Sequence, residues 1–370
     1  MVIFLAVTAG VFLIVSCLFF ITLICVDRWV RRHFVASTYG LPPREVLDGR
    51  RPGPPPPAHR TQERQAVADA AWQGDWNAAE RYVRAAGEDW DERWGRLEFL
   101  HEVAQRDDAW LHAWRAAQPG NCDAATLHAY IVVRRAWEIR GSAYARAVPT
   151  PNMNHFRAML WAAIEDARRA ALLDPANPGP WVVMVMAARG ARYGHSHFEP
   201  LWRGLVARAP FHYMGHSQAL QYWCAKWYGS NADMMWFAFK AVRKAPAGSP
   251  LAGIYLHALS ELADGSAAVA MAVRPLTRRV LRRIAASFDR VVPDDERLPG
   301  LRHLLAHHML RSMMYAPALE QFRQIGPWCG AEPWRKKGNS VMAFEAARGR
   351  AVKLSRARPA PTSEAYGMAR

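Results

Sequence analysis

Cysteine is scarce in this sequence and nowhere paired by spacing. Cys17 and Cys25 lie in the first apolar run, while Cys122, Cys224 and Cys329 are scattered beyond it, and no C-x-x-C occurs. An odd, dispersed set speaks against a disulfide framework and against a zinc ribbon. Alternating β-branched runs bounded by turn residues are also missing, so no strand is expected. There is no G-x-x-x-x-G-K-[ST], no nucleophile elbow and no H-E-x-x-H, which removes the common phosphate-binding, serine-hydrolase and zincin signatures. His212/His216 and His303/His307 are each four apart and share a helix face, but no carboxylate stands beside either pair to complete a metal site. His195 and His197 read as turn or surface residues. No catalytic residue, metal or cofactor is assigned from these patterns.

Charge is absent from residues 1–26, which are apolar apart from Thr8, Gly10, Ser16 and Thr22. About 20 such residues suffice to cross a bilayer. Nothing basic precedes the run and no A-x-A site follows it, as a cleaved signal peptide requires. Ile14–Cys17 fits a loose lipobox, but the apolar run continues past Cys17, so an anchor helix is expected instead of a lipid. Arg28, Arg31 and Arg32 follow directly, with Trp29 at headgroup level. Basic flanks stay on the cytoplasmic side. The expected topology is single-pass in the inner (plasma) membrane, N-terminus outside and the remainder cytoplasmic.

Residues 27–60 read as a juxtamembrane and proline-rich linker. Leu41–His59 contains Pro54–Pro57 unbroken, and such chains prefer extended polyproline II and act as semi-rigid spacers. From Thr61 onward the pattern is helical. Pro175, Pro210, Pro246, Pro293 and Pro327 each follow an amphipathic segment, at steps of 35, 36, 47 and 34 residues. Proline lacks the N–H that continues a helix and biases its predecessor away from the α region. A period near 34 with a closing proline marks stacked helix-turn-helix repeats. Most of the sixteen Trp, including Trp90/Trp94, Trp110/Trp114 and Trp223/Trp227, sit at helix-face spacing and read as core wedges.

The fold class expected is therefore all-α, an α–α superhelix preceded by one transmembrane helix. Ala170-Ala171-Leu172-Leu173-Asp174-Pro175, followed by Asn177-Pro178-Gly179-Pro180-Trp181, resembles the junction of two tetratricopeptide repeats. Asp233–Pro246 is similar to that repeat's second helix, with small Ala241 and closing Pro246. Lys226-Trp227-Tyr228-Gly229-Ser230, then Met234-Met235-Trp236-Phe237-Ala238, with Ala188-Arg189-Gly190 one repeat earlier, looks like a bacterial (actinobacterial-like) tetratricopeptide-like domain family of unknown function. The resemblance covers Thr61–Gly265. It implies a solenoid and supplies no catalytic residues, and because the Gly and Tyr positions of the repeat's first helix are mostly absent, no peptide clamp is carried over. Domains are expected at 61–265 for that unit, 266–330 for further pairs of the same array and 331–370 for a basic C-terminal tail. Within the KWYGS stretch, Gly229 is expected to end a Tyr213–Tyr228 helix in the left-handed conformation, and Ser230 or Asn231 to cap the next.

Forty-eight Lys and Arg against 32 Asp and Glu give a net charge of +16. Arg278/Arg282 and Arg279/Arg283 are i,i+4 pairs that place like charges on one helix stripe, mildly destabilising unless an anion or solvent compensates. For a membrane-held protein the nearest anion is the lipid headgroup layer. Nucleic acid is the weaker candidate, because no recognition motif accompanies the patch. First helices of stacked pairs line the concave side that solenoids use to bind. That places Arg189, Arg192, Gln221 and Lys226, flanked by Tyr193, Tyr222 and Tyr255, in a candidate groove for an acidic or carboxylate-terminated peptide. The function expected is a protein-interaction scaffold; an enzyme on a helical array or a nucleic-acid-binding regulator are the alternatives.

Overall fold

The computed structural model describes residues 24–30, 32–141, 149–262 and 270–359. Among them every regular element is helical, and the only β-type pairing is an isolated bridge between Asp48 and Trp328. Apart from residues 24–26, the run expected to cross a bilayer lies outside the described residues. No helix among the described residues is long and apolar enough to cross a membrane. The chain divides into two compact units, Pro56–Glu261 and a second made of Met1–Pro55 with Leu262–Arg370.

The Pro56–Glu261 unit is a succession of helix pairs. They are Ala58–Trp72 with Trp76–Arg84, Trp90–Arg106 with Ala109–Ala117, Cys122–Arg140 with Thr150–Leu173, Gly179–Ala188 with His195–Arg208, and Tyr213–Tyr222 with Asn231–Lys244. Ile254–Glu261 follows as a last single helix. Each first helix packs against the first helix of the next pair, a row running unbroken from Ala58–Trp72 to Ile254–Glu261, and all but Trp90–Arg106 also pack against their own partner; Ala109–Ala117 packs instead on Trp76–Arg84 and Cys122–Arg140. This is solenoid-like packing, in which each pair covers the apolar face its neighbour leaves open.

Local chemistry sets these boundaries. Asp75, Asp89, Asn121, His212 and Ser230 each precede a helix and accept a hydrogen bond from a first-turn backbone N–H, satisfying donors the helix itself cannot. Pro175, Pro210 and Pro246 each stand two residues beyond a helix end, at Leu173, Arg208 and Lys244. Gly179–Ala188 is apolar on all sides and buried on all sides, as a helix without a polar face must be. Gly204 lets Trp181 close over it, since a Cβ there would fall 2.0 Å from the indole.

Two local expectations are corrected. The helix beginning at Tyr213 ends at Tyr222, and Trp223–Gly229 is a turn. Gly229 is required there by close approach rather than by a left-handed φ: a Cβ would lie 2.2 Å from the Trp223 carbonyl oxygen. Ser230 does cap the next helix, its Oγ accepting from Asp233 N at 3.1 Å.

In the other unit, helices Pro275–Phe288, Leu298–Arg311, Tyr315–Ile325 and Ser340–Ser355 pack in sequence. Leu41–Pro52 does not behave as a free spacer. Asp48 N donates to Pro327 O at 2.9 Å, Cys329 N to Asp48 O at 2.8 Å, and Gly330 N to Arg51 O at 2.8 Å. Arg348, fully buried, donates to the Pro42 carbonyl at 2.8 Å. Backbone groups meant for solvent in a polyproline spacer are here satisfied by a segment some 280 residues later. Ser340–Ser355, inside the stretch expected as a basic C-terminal tail, is a packed helix, close to the Ser340–Leu354 helix that its pattern suggests.

Candidate functional site

The first-helix row brings together a cluster of cations and indoles. Trp137 and Arg140 come from the last turn of Cys122–Arg140. Arg189 caps the C-terminus of Gly179–Ala188, Gln218 and Gln221 lie on Tyr213–Tyr222, Lys226 and Trp227 occupy the following turn, and Glu261 ends the last helix. The two indoles meet edge to face, centroids 5.7 Å apart at 88°. The Arg189 guanidinium stands 4.6 Å from the Trp137 ring centroid and 5.8 Å from that of Trp227. Arg140 stands 5.5 and 5.7 Å from the same two rings.

Arg189 is the unusual member. Its side chain donates to Gln218 Oε1 at 2.8 Å, and it forms no ion pair with a carboxylate among the described residues. Its Nε and the nearby Trp137 Nε1 are both buried without a hydrogen-bond partner among the described residues. Burial depresses the Arg189 pKa to about 10, with Arg140 acting in the same direction and Glu261 opposing it. Glu261, the nearest carboxylate, is already engaged: Gln221 Nε2 donates to one oxygen and Lys226 Nζ to the other, both at 2.7 Å. Burial pushes the Glu261 pKa up, but those two donors outweigh it and the net shift is downward. Arg140 and Arg189 thus share the two indoles, while Glu261 is held by Lys226 and Gln221.

The seven residues expected to form a groove are only partly brought together. Arg189, Gln221 and Lys226 belong to the cluster. Tyr193, Tyr222 and Tyr255 are buried and line no open groove. Tyr222 stacks on Phe198 at 3.7 Å and donates its hydroxyl hydrogen to the Tyr193 carbonyl at 3.0 Å. Arg192 is exposed in the turn after Gly190, at a φ of 63°. Trp137, Arg140, Gln218 and Glu261 carry no expectation from the sequence, and Trp227 is expected there only as a core wedge. The i,i+3 pairing of Trp137 with Arg140 at a helix end was the available signal.

In the other unit, Arg279, Arg282 and Arg283 lie on the exposed face of Pro275–Phe288, next to Val273 and Leu276. Arg278 leaves the stripe: its Nε donates to the Ser312 carbonyl at 2.9 Å.

The histidine pairs serve the fold. His212 Nδ1 accepts from Gly215 N at 3.2 Å, and His303 lies between Pro52 and Trp334. Burial raises the Cys122 thiol to about 12 and the Cys224 thiol to about 11, which keeps both protonated and poorly nucleophilic at neutral pH. No group of three His, Cys, Asp or Glu able to hold a metal occurs among the described residues.

No protein-family model matches this sequence, and no curated protein shows significant similarity to it.

Proposed function

We propose that this chain is a membrane-anchored, tetratricopeptide-like scaffold whose first-helix row takes an acidic segment of a partner protein at Arg189. Residues 1–26 are the anchor, and the helical units lie on the cytoplasmic face. Arg279 and Arg282 are available to anionic headgroups.

One observation carries the reading: a mostly buried guanidinium without a carboxylate, framed by Trp137 and Trp227. Taking a charge out of water costs several kcal/mol unless it is paired. Two cation–π contacts return up to roughly 2 kcal/mol each when desolvated, which is less than the pairing a carboxylate would give. A carboxylate arriving from a partner would supply the missing charge, and Arg is the side chain best shaped to hold it through paired N–H donors.

The test is co-purification from solubilised membranes with wild type, Arg189→Gln and Lys226→Glu. The expected result is loss of the partner from Arg189→Gln and a weaker loss from Lys226→Glu, with thermal stability held. Undiminished recovery from both variants removes this row as the binding face.

A further inference from the structure

The anchor's exit is clipped to the C-terminal helix of its own unit. Residues 24–30 are helical, and Asp27 receives a bidentate pair from Arg350, Nε to Oδ1 at 2.9 Å and the terminal nitrogen to Oδ2 at 3.1 Å. Val30 packs onto Gly349, where a Cβ would fall 2.6 Å from its methyl carbon. Lys353 Nζ lies 4.8 Å over the Trp29 ring. Two segments more than 300 residues apart in sequence therefore meet immediately after the apolar run.

Among the described residues of 24–35 and 346–359 the exposed Lys and Arg are Arg28, Arg32, Lys353, Arg356 and Arg358. The one carboxylate within residues 24–35 and 346–359 is Asp27, already held by Arg350. Ile24 and Val35 are more than half exposed beside them. A basic rim with exposed aliphatic residues is the composition that settles at a headgroup boundary.

We propose that this clip seats the unit directly on an anionic phospholipid surface, with Lys353, Arg356 and Arg358 joining Arg28 and Arg32 in contact with the headgroups. The proposal rests on the anchoring part of the function proposed above. It replaces a domain held away from the bilayer on a spacer with one lying against it. Each basic residue near such a surface strengthens association roughly fivefold, so the contribution of five is large and falls with salt.

The test is hydrogen exchange of the full chain reconstituted in vesicles of phosphatidylcholine alone or with about one-third phosphatidylglycerol. Residues 350–358 should exchange about tenfold more slowly in the anionic vesicles, and high salt or Lys353→Glu with Arg358→Glu should abolish the difference. The milder Lys353→Gln with Arg358→Gln should reduce it while leaving protection of 340–349 intact. Equal exchange in both lipids overturns the seat, as does a lipid difference that survives the charge reversal. Protection by RNA in neutral vesicles, with none from anionic lipid, also overturns it. Alkaline carbonate extraction separates the two readings: release from membranes overturns anchor and seat together, whereas retention with lipid-indifferent exchange overturns the seat alone.

Discussion

Trp334 donates its indole N–H to Nδ1 of His303 at 2.8 Å. With Nδ1 accepting, the proton of the neutral imidazole sits on Nε2, which donates to the Pro52 carbonyl at 2.9 Å. His303 is fully buried, so this one tautomer fastens the Leu41–Pro52 segment, an N-terminal strap, to the Leu298–Arg311 helix and to Trp334 at once. Replacing it removes two hydrogen bonds and strands both partners.

His303→Ala is therefore expected to destabilise this unit by about 2–4 kcal/mol, from the cavity and the unsatisfied indole together. The loss should centre on the strap. Backbone amides of Asp48, Cys329 and Gly330, which close the strap against the chain after Pro327, should exchange faster by a larger factor than those of Asn231–Lys244 in the other unit. Uniform acceleration would contradict the fastening role.

Acid should weaken both units across one window. Burial lowers His101, His216 and His303 to about 4, from an ordinary value of 6.5. Each is neutral when folded and takes a proton more readily when unfolded, so the unfolded state binds more protons between these limits. The stabilisation is complete above about pH 6.5 and is lost as pH falls toward about 4. Denaturant midpoints measured from pH 8 to pH 4 should be flat at first and then decline. The decline should shrink in His216→Gln, which cannot titrate, even where that variant is less stable at neutral pH.

Gly229→Ala tests the turn that carries Lys226 and Trp227. Its Cβ would meet backbone, the Trp223 carbonyl at 2.2 Å, and backbone cannot rotate aside as a flexible side chain can. A loss of about 2–3 kcal/mol is expected. Gly74→Ala is a useful contrast: Gly74 has a φ of 90° but nothing within 4 Å of an added Cβ. Its cost is the left-handed backbone alone, about 1–2 kcal/mol. A neutral Gly229→Ala would contradict the close approach.

Arg189→Met separates a binding role from a packing role. If Arg189 were a structural wedge between the indoles, its removal would cost stability. With an uncompensated buried charge, the apolar isostere is expected to leave the protein unchanged or about 1 kcal/mol more stable. Thermal unfolding of the two proteins side by side decides the matter.

The helices were legible because their signals are local. Capping residues such as Ser230 and the prolines two residues beyond helix ends declare themselves within a few residues. What was not legible depends on residues far apart in sequence. Leu41–Pro52 reads as spacer because its partners, Pro327 to Gly330, lie at the other end of the chain. Tyr222 sits on the same helix as Gln221, and only tertiary packing turns one toward Phe198 and the other toward Glu261. Arg189 was visible as a cation without a core explanation. Its indole neighbours come from elements about fifty residues before it and nearly forty after it.

The most direct measurement is calorimetric titration of the full chain in detergent micelles with a pool of acidic peptides bearing free C-terminal carboxylates, run beside a matched basic pool. Wild type should bind the acidic pool and ignore the basic one. Arg189→Met should weaken that binding by about tenfold or more, and rising salt should weaken wild type more than the variant. Equal affinity for wild type and Arg189→Met, or no acidic peptide bound by either, would contradict the assignment of this row as the partner-binding face.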